Sequence, residues 1–319
     1  MTGTTGQVGG ALCGPLADLG EVIPVNRTEL DLSRPDTIAE ALDLIRPDLV
    51  VNPAAYTIVD RAEDERSLAF RVNAEAPGAL AAWTARHDVP LIHFSTDYVF
   101  DGSGERPWRE DALPGPLSVY GESKLAGETA VREAGGLYLI VRTSWVYSNN
   151  SANFMLTIAR LAAERQELRI VADQFGAPTS ARQIADAVMR ILASKEADLA
   201  DQLVRAGGII NVASAGETNW HGFATAIVDG LAGRGIAVRT ERILPITTEE
   251  YPTKARRPHN SRLDLGRLAR VYGVTTSSWR QALEIELDEF AAYRRISIVP
   301  ELMSGDAKVE RGVRNLLAG

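Results

Sequence analysis

Short apolar runs recur along this chain between longer segments with helical spacing, the pattern of strands buried on both faces between covering helices. Leu91-Ile92-His93-Phe94 is the clearest such run, and Leu137–Val141 (LYLIV) the next. Asp48–Asn52 (DLVVN) and Gly208–Ala213 (GIINVA) read the same way. Glu21–Val25 (EVIPV) also reads as a strand, although Pro24 is awkward inside a ladder. Helices are expected over Gln7 to about Leu19, from near Pro35, from Val59 to about Ala82 with a continuation through Ala76 to Trp83, and over Ser118–Val131. This alternation predicts an α/β fold built on a doubly wound parallel sheet. Only Met1 and Thr2 precede the first glycine, Gly3, so the strand that usually opens such a sheet is expected to be missing.

The second half is less regular. A helix is expected over Asn153–Leu161, a short strand over Gln166–Ala172, a helix from Thr179, another over Trp220–Leu231 and a strand over Val238–Ile243. The GIINVA run looks like a strand returning to the main sheet, so a smaller substrate-binding part is expected to be interleaved with the first half. The resulting division is 1–150, 151–292 and a C-terminal extension, 293–319, whose mixed charges suggest a short added helix or a loose end.

Composition narrows the class. Thirty-four basic against forty-two acidic residues give the 319-residue chain a net charge of −8, which argues against a general nucleic-acid surface. The single cysteine, Cys13, excludes an intrachain disulfide and suits a reducing compartment. No apolar run approaches a membrane span and no segment reads as a signal peptide, so a cytoplasmic location and a small-molecule partner are expected.

The candidate chemistry begins with Gly3, Gly6 and Gly9, a GxxGxxG pattern that opens a helix and would let backbone approach a pyrophosphate. Asn26-Arg27 stands where an NAD-selective fold often carries an acid for the ribose. A neutral Asn beside a cation leaves room for a 2′-phosphate and favours NADPH over NADH. Asp31, in the loop before the Pro35 helix, can serve a cap or face the adenine. The small residues after Asn52, through Ala55 to Thr57, allow a flat cofactor close to the backbone. Asp60, Glu63, Asp64 and Glu65 read as a solvated first helical turn rather than a metal site. Asn73 is a candidate for packing on the active-site strand.

Ser95, Thr96 and Asp97 follow the LIHF run at the strand's carboxyl end, where ligands of open α/β sheets sit. Tyr120 and Lys124 lie four residues apart on one face of the expected helix, a phenol and an ammonium suited to proton transfer. Lys254, Arg256, Arg257 and Arg262 form a basic cluster in an acidic chain, and Arg257 is a candidate to fork a diphosphate.

Longer strings carry a resemblance. GTTGQVG, VNPAAYTIVDRAE, STDYVFDGSG, YGESKLAGE, RTSWVYS, DQFGAPTSA and YPTKARRPHNSRLD resemble, in order, those of the dTDP-4-dehydrorhamnose reductase family, within the extended short-chain dehydrogenase/reductases. The resemblance covers Met1 to about Phe290. It implies a Rossmann-like fold and an NAD(P)H-dependent reduction of a nucleotide-sugar ketone at C4. It further implies that Gly6, Gln7, Val8, Asp31, Leu32, Ala55, Tyr56 and Thr57 line the cofactor, and that Thr96, Tyr120 and Lys124 are the catalytic set. Thr96 with Asp97 would touch the sugar, and Trp145 the substrate. Some family members dimerise through a Mg²⁺ bridged by glutamates. Ala11 stands at one of those places, so that metal-bridged dimer is not expected, while another homodimer stays open. Two rival readings are a non-catalytic relative that binds a partner enzyme, and a nucleotide-sugar epimerase or dehydratase. A dehydratase would want a second acid beside Asp97, where Tyr98 stands.

Overall fold

A computed structural model of the chain describes residues 1–193, 200, 203 and 207–303. Its strands are β1 (Val50–Asn52), β2 (Leu91–Thr96), β3 (Tyr138–Thr143), β4 (Val146–Tyr147), β5 (Glu167–Val171), β6 (Phe175–Gly176), β7 (Thr179–Ser180), β8 (Ile209–Asn211), β9 (Thr218–Asn219) and β10 (Arg242–Ile246). β1, β2, β3 and β8 pair in that order, all parallel, so β8 does return to the main sheet.

The missing opening strand is not wholly absent. The Thr2 amide donates to the Val51 carbonyl (3.1 Å) and the Val25 amide to that of Met1 (2.9 Å), so Met1 and Thr2 stand between β1 and the 21–25 segment. Residues 21–25 bond to Met1 through Ile23 and Val25 but form no regular strand, contrary to the expectation from EVIPV. β10 begins four residues later than the expected Val238 start, because its ladder partner is β5, with Arg242 opposite Glu167.

The period of two along β2 and β3 divides the core. Ile92, Phe94, Leu139 and Val141 pack on one face with Leu12 of the Gln7–Leu16 helix and Ile184 and Val188 of the Ala181–Leu192 helix. Leu91 and Ile140 pack on the other with Ile38, Leu80, Trp83 and Val131. Helices therefore cover both faces, which is the doubly wound arrangement. A third cluster, including Met155, Phe223, Ile227 and Leu283, joins the Phe154–Glu164, Trp220–Gly233 and Trp279–Met303 helices. The helix from Trp279 runs on through residue 293 to Met303, so no separate helix begins at Tyr293, and 304–319 lie outside the described residues.

The long helix expected from Val59 is broken into Val59–Ala62, Arg66–Phe70, a wide π-type turn Arg71–Glu75 and Ala76–Arg86. Such wide turns cluster at functional sites, and this one faces the Val119–Ala134 helix. Ser118 caps that helix by accepting from the Gly121 amide (3.2 Å). A Cβ on Gly121 would lie 2.2 Å from the Tyr98 carbonyl oxygen, so only glycine lets the helix dock this close to the end of β2. A buried ion pair holds it from the other side: Arg142 of β3 forks Glu128 at 2.6 and 2.8 Å. Among the described residues no helix is long and apolar enough to cross a membrane.

Candidate active site

The carboxyl end of β2 and the first turns of the Val119–Ala134 helix meet in one place. Thr96 Oγ1 accepts from the Tyr98 amide (3.2 Å) and donates to Asp97 Oδ1 (3.1 Å), and it shares a hydrogen bond with the Tyr120 hydroxyl. Burial pushes the Tyr120 phenol above its ordinary range, against the pull of Thr96, so the phenol is held protonated. The ring of Tyr98 meets that of Tyr120 edge-on at 5.5 Å.

Lys124 lies one turn further on and is only 2% exposed. Burial brings its ammonium down to about 8, partly offset by Glu128. Its Nζ donates to the Phe94 carbonyl (2.7 Å) and stands 3.4 Å from His93 Nε2. Asp97 is also fully buried. Burial raises its carboxyl to about 7, although Ser261 and Thr96 hydrogen-bond to it, and Oδ2 has no partner. Ser95 Oγ likewise has none. Thr96, Asp97, Tyr120 and Lys124 are thus together, while Ser95 takes no part in their bonds.

The glycine segment forms a cradle beside this end of the sheet. The Gly6 amide donates to Gly3 O (3.0 Å), and a Cβ on Gly9 would lie 2.0 Å from that same oxygen. The helix beginning at Gln7 is entered through Gly6 with no side-chain cap, leaving its first amides to a ligand. Gln7 is tied to the Trp145 region, its amide accepting from Ser148 Oγ (3.1 Å), and Val8 packs on the adjoining core. Ala54 lies against Gly3, which brings the loop Ala55-Tyr56-Thr57 to the same edge. These glycines and the uncapped helix start fit a dinucleotide pyrophosphate.

The remaining predicted residues are placed unevenly. Arg27 is exposed and pairs with Asp31 (3.5 Å), whose carboxylate is held low chiefly by the Ser33 amide (2.9 Å). Asp31 therefore acts as a turn cap here, and Leu32 is buried in the core. Trp145 sits between β3 and β4 in the left-handed region (φ 50°), stacked on Trp220 at 3.6 Å and seated over Gly176. Arg257 does not present a free fork: it holds Asp60 at 2.7 and 3.2 Å. Burial alone would raise Asp60, but Arg257 and the Ala255 amide keep its carboxyl low. Lys254 pairs with Asp64, so two members of the basic cluster are met by two of the acidic cluster, while Arg262 pairs with Glu217.

Several supporting residues make bonds other than those expected of them. Asn73, in the wide turn, grips the Tyr56 backbone at both N (2.8 Å) and O (3.0 Å) and donates to Ser123 Oγ (3.0 Å), rather than packing on β2. Glu65 fixes the Tyr56 hydroxyl (2.7 Å), and burial with that carboxylate pushes the phenol up to about 12. Glu63 accepts from the Val119 amide (2.9 Å), helping to start the Tyr120 helix. Their partners are distant in sequence, and no local pattern marks them. Trp220 had only its helical position to recommend it.

A doubly wound sheet with an open glycine cradle, and a Thr–Tyr–Lys set at the adjoining strand end, defines the Rossmann-like short-chain dehydrogenase/reductase class. Comparison with known proteins narrows this. The model of the RmlD substrate binding domain family matches residues 1–292. The dTDP-4-dehydrorhamnose reductase of Burkholderia thailandensis is 48% identical over 285 residues, 89% of this chain and 95% of that protein. The solved structure of a dTDP-4-dehydrorhamnose reductase from Clostridium acetobutylicum superposes with a TM-score of 0.83 at 32% identity, covering 91% of this chain and 98% of that one. The Bacillus anthracis enzyme of the same name, solved in complex with NADP, gives 0.81 at 32% identity, covering 90% and 97%. The chain belongs to the RmlD family, and curated relatives from Burkholderia thailandensis and Shigella flexneri are named dTDP-4-dehydrorhamnose reductase.

Proposed function

We propose that this protein reduces the C4 ketone of dTDP-4-dehydro-β-L-rhamnose to dTDP-β-L-rhamnose, the last step of dTDP-rhamnose formation, with NADPH preferred over NADH. The observation that carries the reading is the contact of Thr96 with Tyr120, one helical turn from Lys124, beside the open cradle. Gly3, Gly6, Gln7 and Val8 would hold the pyrophosphate of the dinucleotide, whose reduced nicotinamide would supply hydride to the carbonyl carbon.

The residues of the chain handle the oxygen. Alkoxide character develops there and needs a proton, and Tyr120, kept protonated by burial, is the donor. Thr96, once its hydroxyl turns from Asp97 to the substrate, donates to the same oxygen as charge grows on it. The Lys124 ammonium favours the phenolate left behind and anchors the cofactor ribose. Asp97 holds Thr96 and borders the sugar. Trp145, propped by Trp220, offers a flat apolar wall to the substrate. For Arg257 to reach a diphosphate it must share its fork with Asp60. The cofactor part is assigned to 1–150 with β8, and the substrate part to 151–292. A cytoplasmic homodimer that needs no bridging metal belongs to the same reading.

The direct test is NADPH oxidation, followed by absorbance, with dTDP-4-dehydrorhamnose and with other nucleotide-linked keto sugars. Turnover specific to the first is expected. Oxidation with none of them, or an epimerised or dehydrated product, would overturn the assignment.

A further inference from the structure

In the sequence His93 is only a member of the apolar run Leu91–Phe94. On β2 it has the parity of Leu91, which packs on the face covered by the Tyr120 helix. Its side chain is fully buried between Lys124 and Asn52: Nε2 is 3.4 Å from Lys124 Nζ, and Nδ1 is 3.1 Å from the Asn52 side-chain amide. The other end of that amide meets Thr2 Oγ1 at 2.6 Å. A line of polar groups, Thr2–Asn52–His93–Lys124, thus runs under three adjacent positions of the sheet and ends on the lysine. A fully buried imidazole with both nitrogens engaged is an expensive feature in an apolar strand, and the mechanism above gives it no task.

The donor and acceptor rules fix what it can do. An ammonium has three protons and no lone pair, so a neutral histidine beside it must present a bare nitrogen. Nε2 is then the acceptor and Nδ1 carries the proton. Nδ1–H then finds its acceptor at Asn52, in the backbone carbonyl or, after the half-turn of the amide that exchanges its two ends and gives the NH₂ to Thr2, in the side-chain oxygen. The opposite amide orientation donates to Nδ1 and puts the proton on Nε2, facing Nζ, which only an uncharged lysine tolerates.

We propose that His93 is a positioning residue for Lys124, its Nδ1–H tautomer accepting a hydrogen bond from the ammonium and passing the constraint to Asn52 and Thr2. The proposal rests on the reading of Lys124 as catalytic. With the Phe94 carbonyl, His93 engages two of the three ammonium protons, so the side chain has one aim and the third proton is left uncommitted. Burial favours a neutral imidazole, and the lysine charge does so further, which keeps Nε2 available as an acceptor. Among the described residues the other charged group that acts on the pair is Glu128, on the lysine's own helix, and it is forked by Arg142 of β3.

Two measurements test it. In the wild-type protein, ¹⁵N NMR of the imidazole nitrogens should find His93 protonated at Nδ1 and bare at Nε2; a proton on Nε2 would overturn the proposal. Replacing His93 by Leu removes the acceptor, so Lys124 should lose its proton at lower pH. The alkaline limb of kcat/KM for NADPH should then move down by about one pH unit. His93→Gln can accept from Lys124 and donate to Asn52, and should restore most of that shift. An unmoved limb in a folded Leu variant, or a Gln variant no better than Leu, counts against the role. Should the Leu variant lack a cooperative unfolding transition, the tautomer decides alone. Lys124→Met separates the two levels: wild-type turnover there would overturn the catalytic reading itself, whereas an inactive Lys124→Met with an unmoved limb in His93→Leu would overturn only the role of His93.

Discussion

Asp97 offers a quantitative prediction, because its burial is complete and one carboxylate oxygen has no partner. Burial raises its carboxyl from 3.8 to about 7, against the hydrogen bonds from Ser261 and Thr96. The sign follows from linkage: the folded state holds a proton that the unfolded state has released, so this contribution to stability is fully present below pH 3.8 and is lost as pH rises through about 7. Working the two titrations against each other, the loss between pH 5 and pH 8 is about 2–3 kcal/mol. Asp97→Asn keeps the shape and a donor but cannot ionise. Its stability relative to wild type should therefore improve by about that amount over the same interval. Urea unfolding of both proteins at several pH values between 5 and 8 measures this as a difference in midpoints. Parallel curves would show that Asp97 ionises normally in the fold and refute the reasoning.

Other consequences are more local. Glu128→Ala leaves Arg142 buried without its partner and should cost about 3–5 kcal/mol, read as a lowered urea midpoint; replacing both by apolar residues should cost much less. Gly9→Ala places a methyl 2.0 Å from the Gly3 carbonyl and must displace the cradle. NADPH affinity, followed by fluorescence titration, should fall by about tenfold or more, while unfolding stays cooperative. Trp220→Ala removes the prop behind Trp145 and should raise KM for the sugar nucleotide more than it lowers kcat, with KM for NADPH unchanged.

Much of this molecule could be read without coordinates, for identifiable reasons. β2 and β3 are buried on both faces, so their apolar runs stand out, and four-residue spacing on a helix sufficed to pair Tyr120 with Lys124. The segment 21–25 was over-read because strand propensity is realised only against a partner, and the backbone bonds it makes are to the single residue Met1. The wide turn at Arg71–Glu75 places Asn73 on the Tyr56 backbone, a contact that no helical period encodes, and Pro77 stands just inside the helix that follows. Arg257 was taken as an anion fork from local charge alone. Asp60, 197 residues away in sequence, answers it in the fold. The imidazole of His93 was hidden for a similar reason: its partners come from Asn52 and Lys124, on neighbouring elements.

In the proposed reaction the Tyr120 phenol protonates the sugar oxygen. Steady-state turnover of Tyr120→Phe with NADPH and dTDP-4-dehydrorhamnose, measured beside its NADPH dissociation constant, tests that claim most directly. The variant should lose about 10²–10⁴-fold in kcat and bind NADPH as the wild type does. A kcat within a few-fold of wild type would contradict the account.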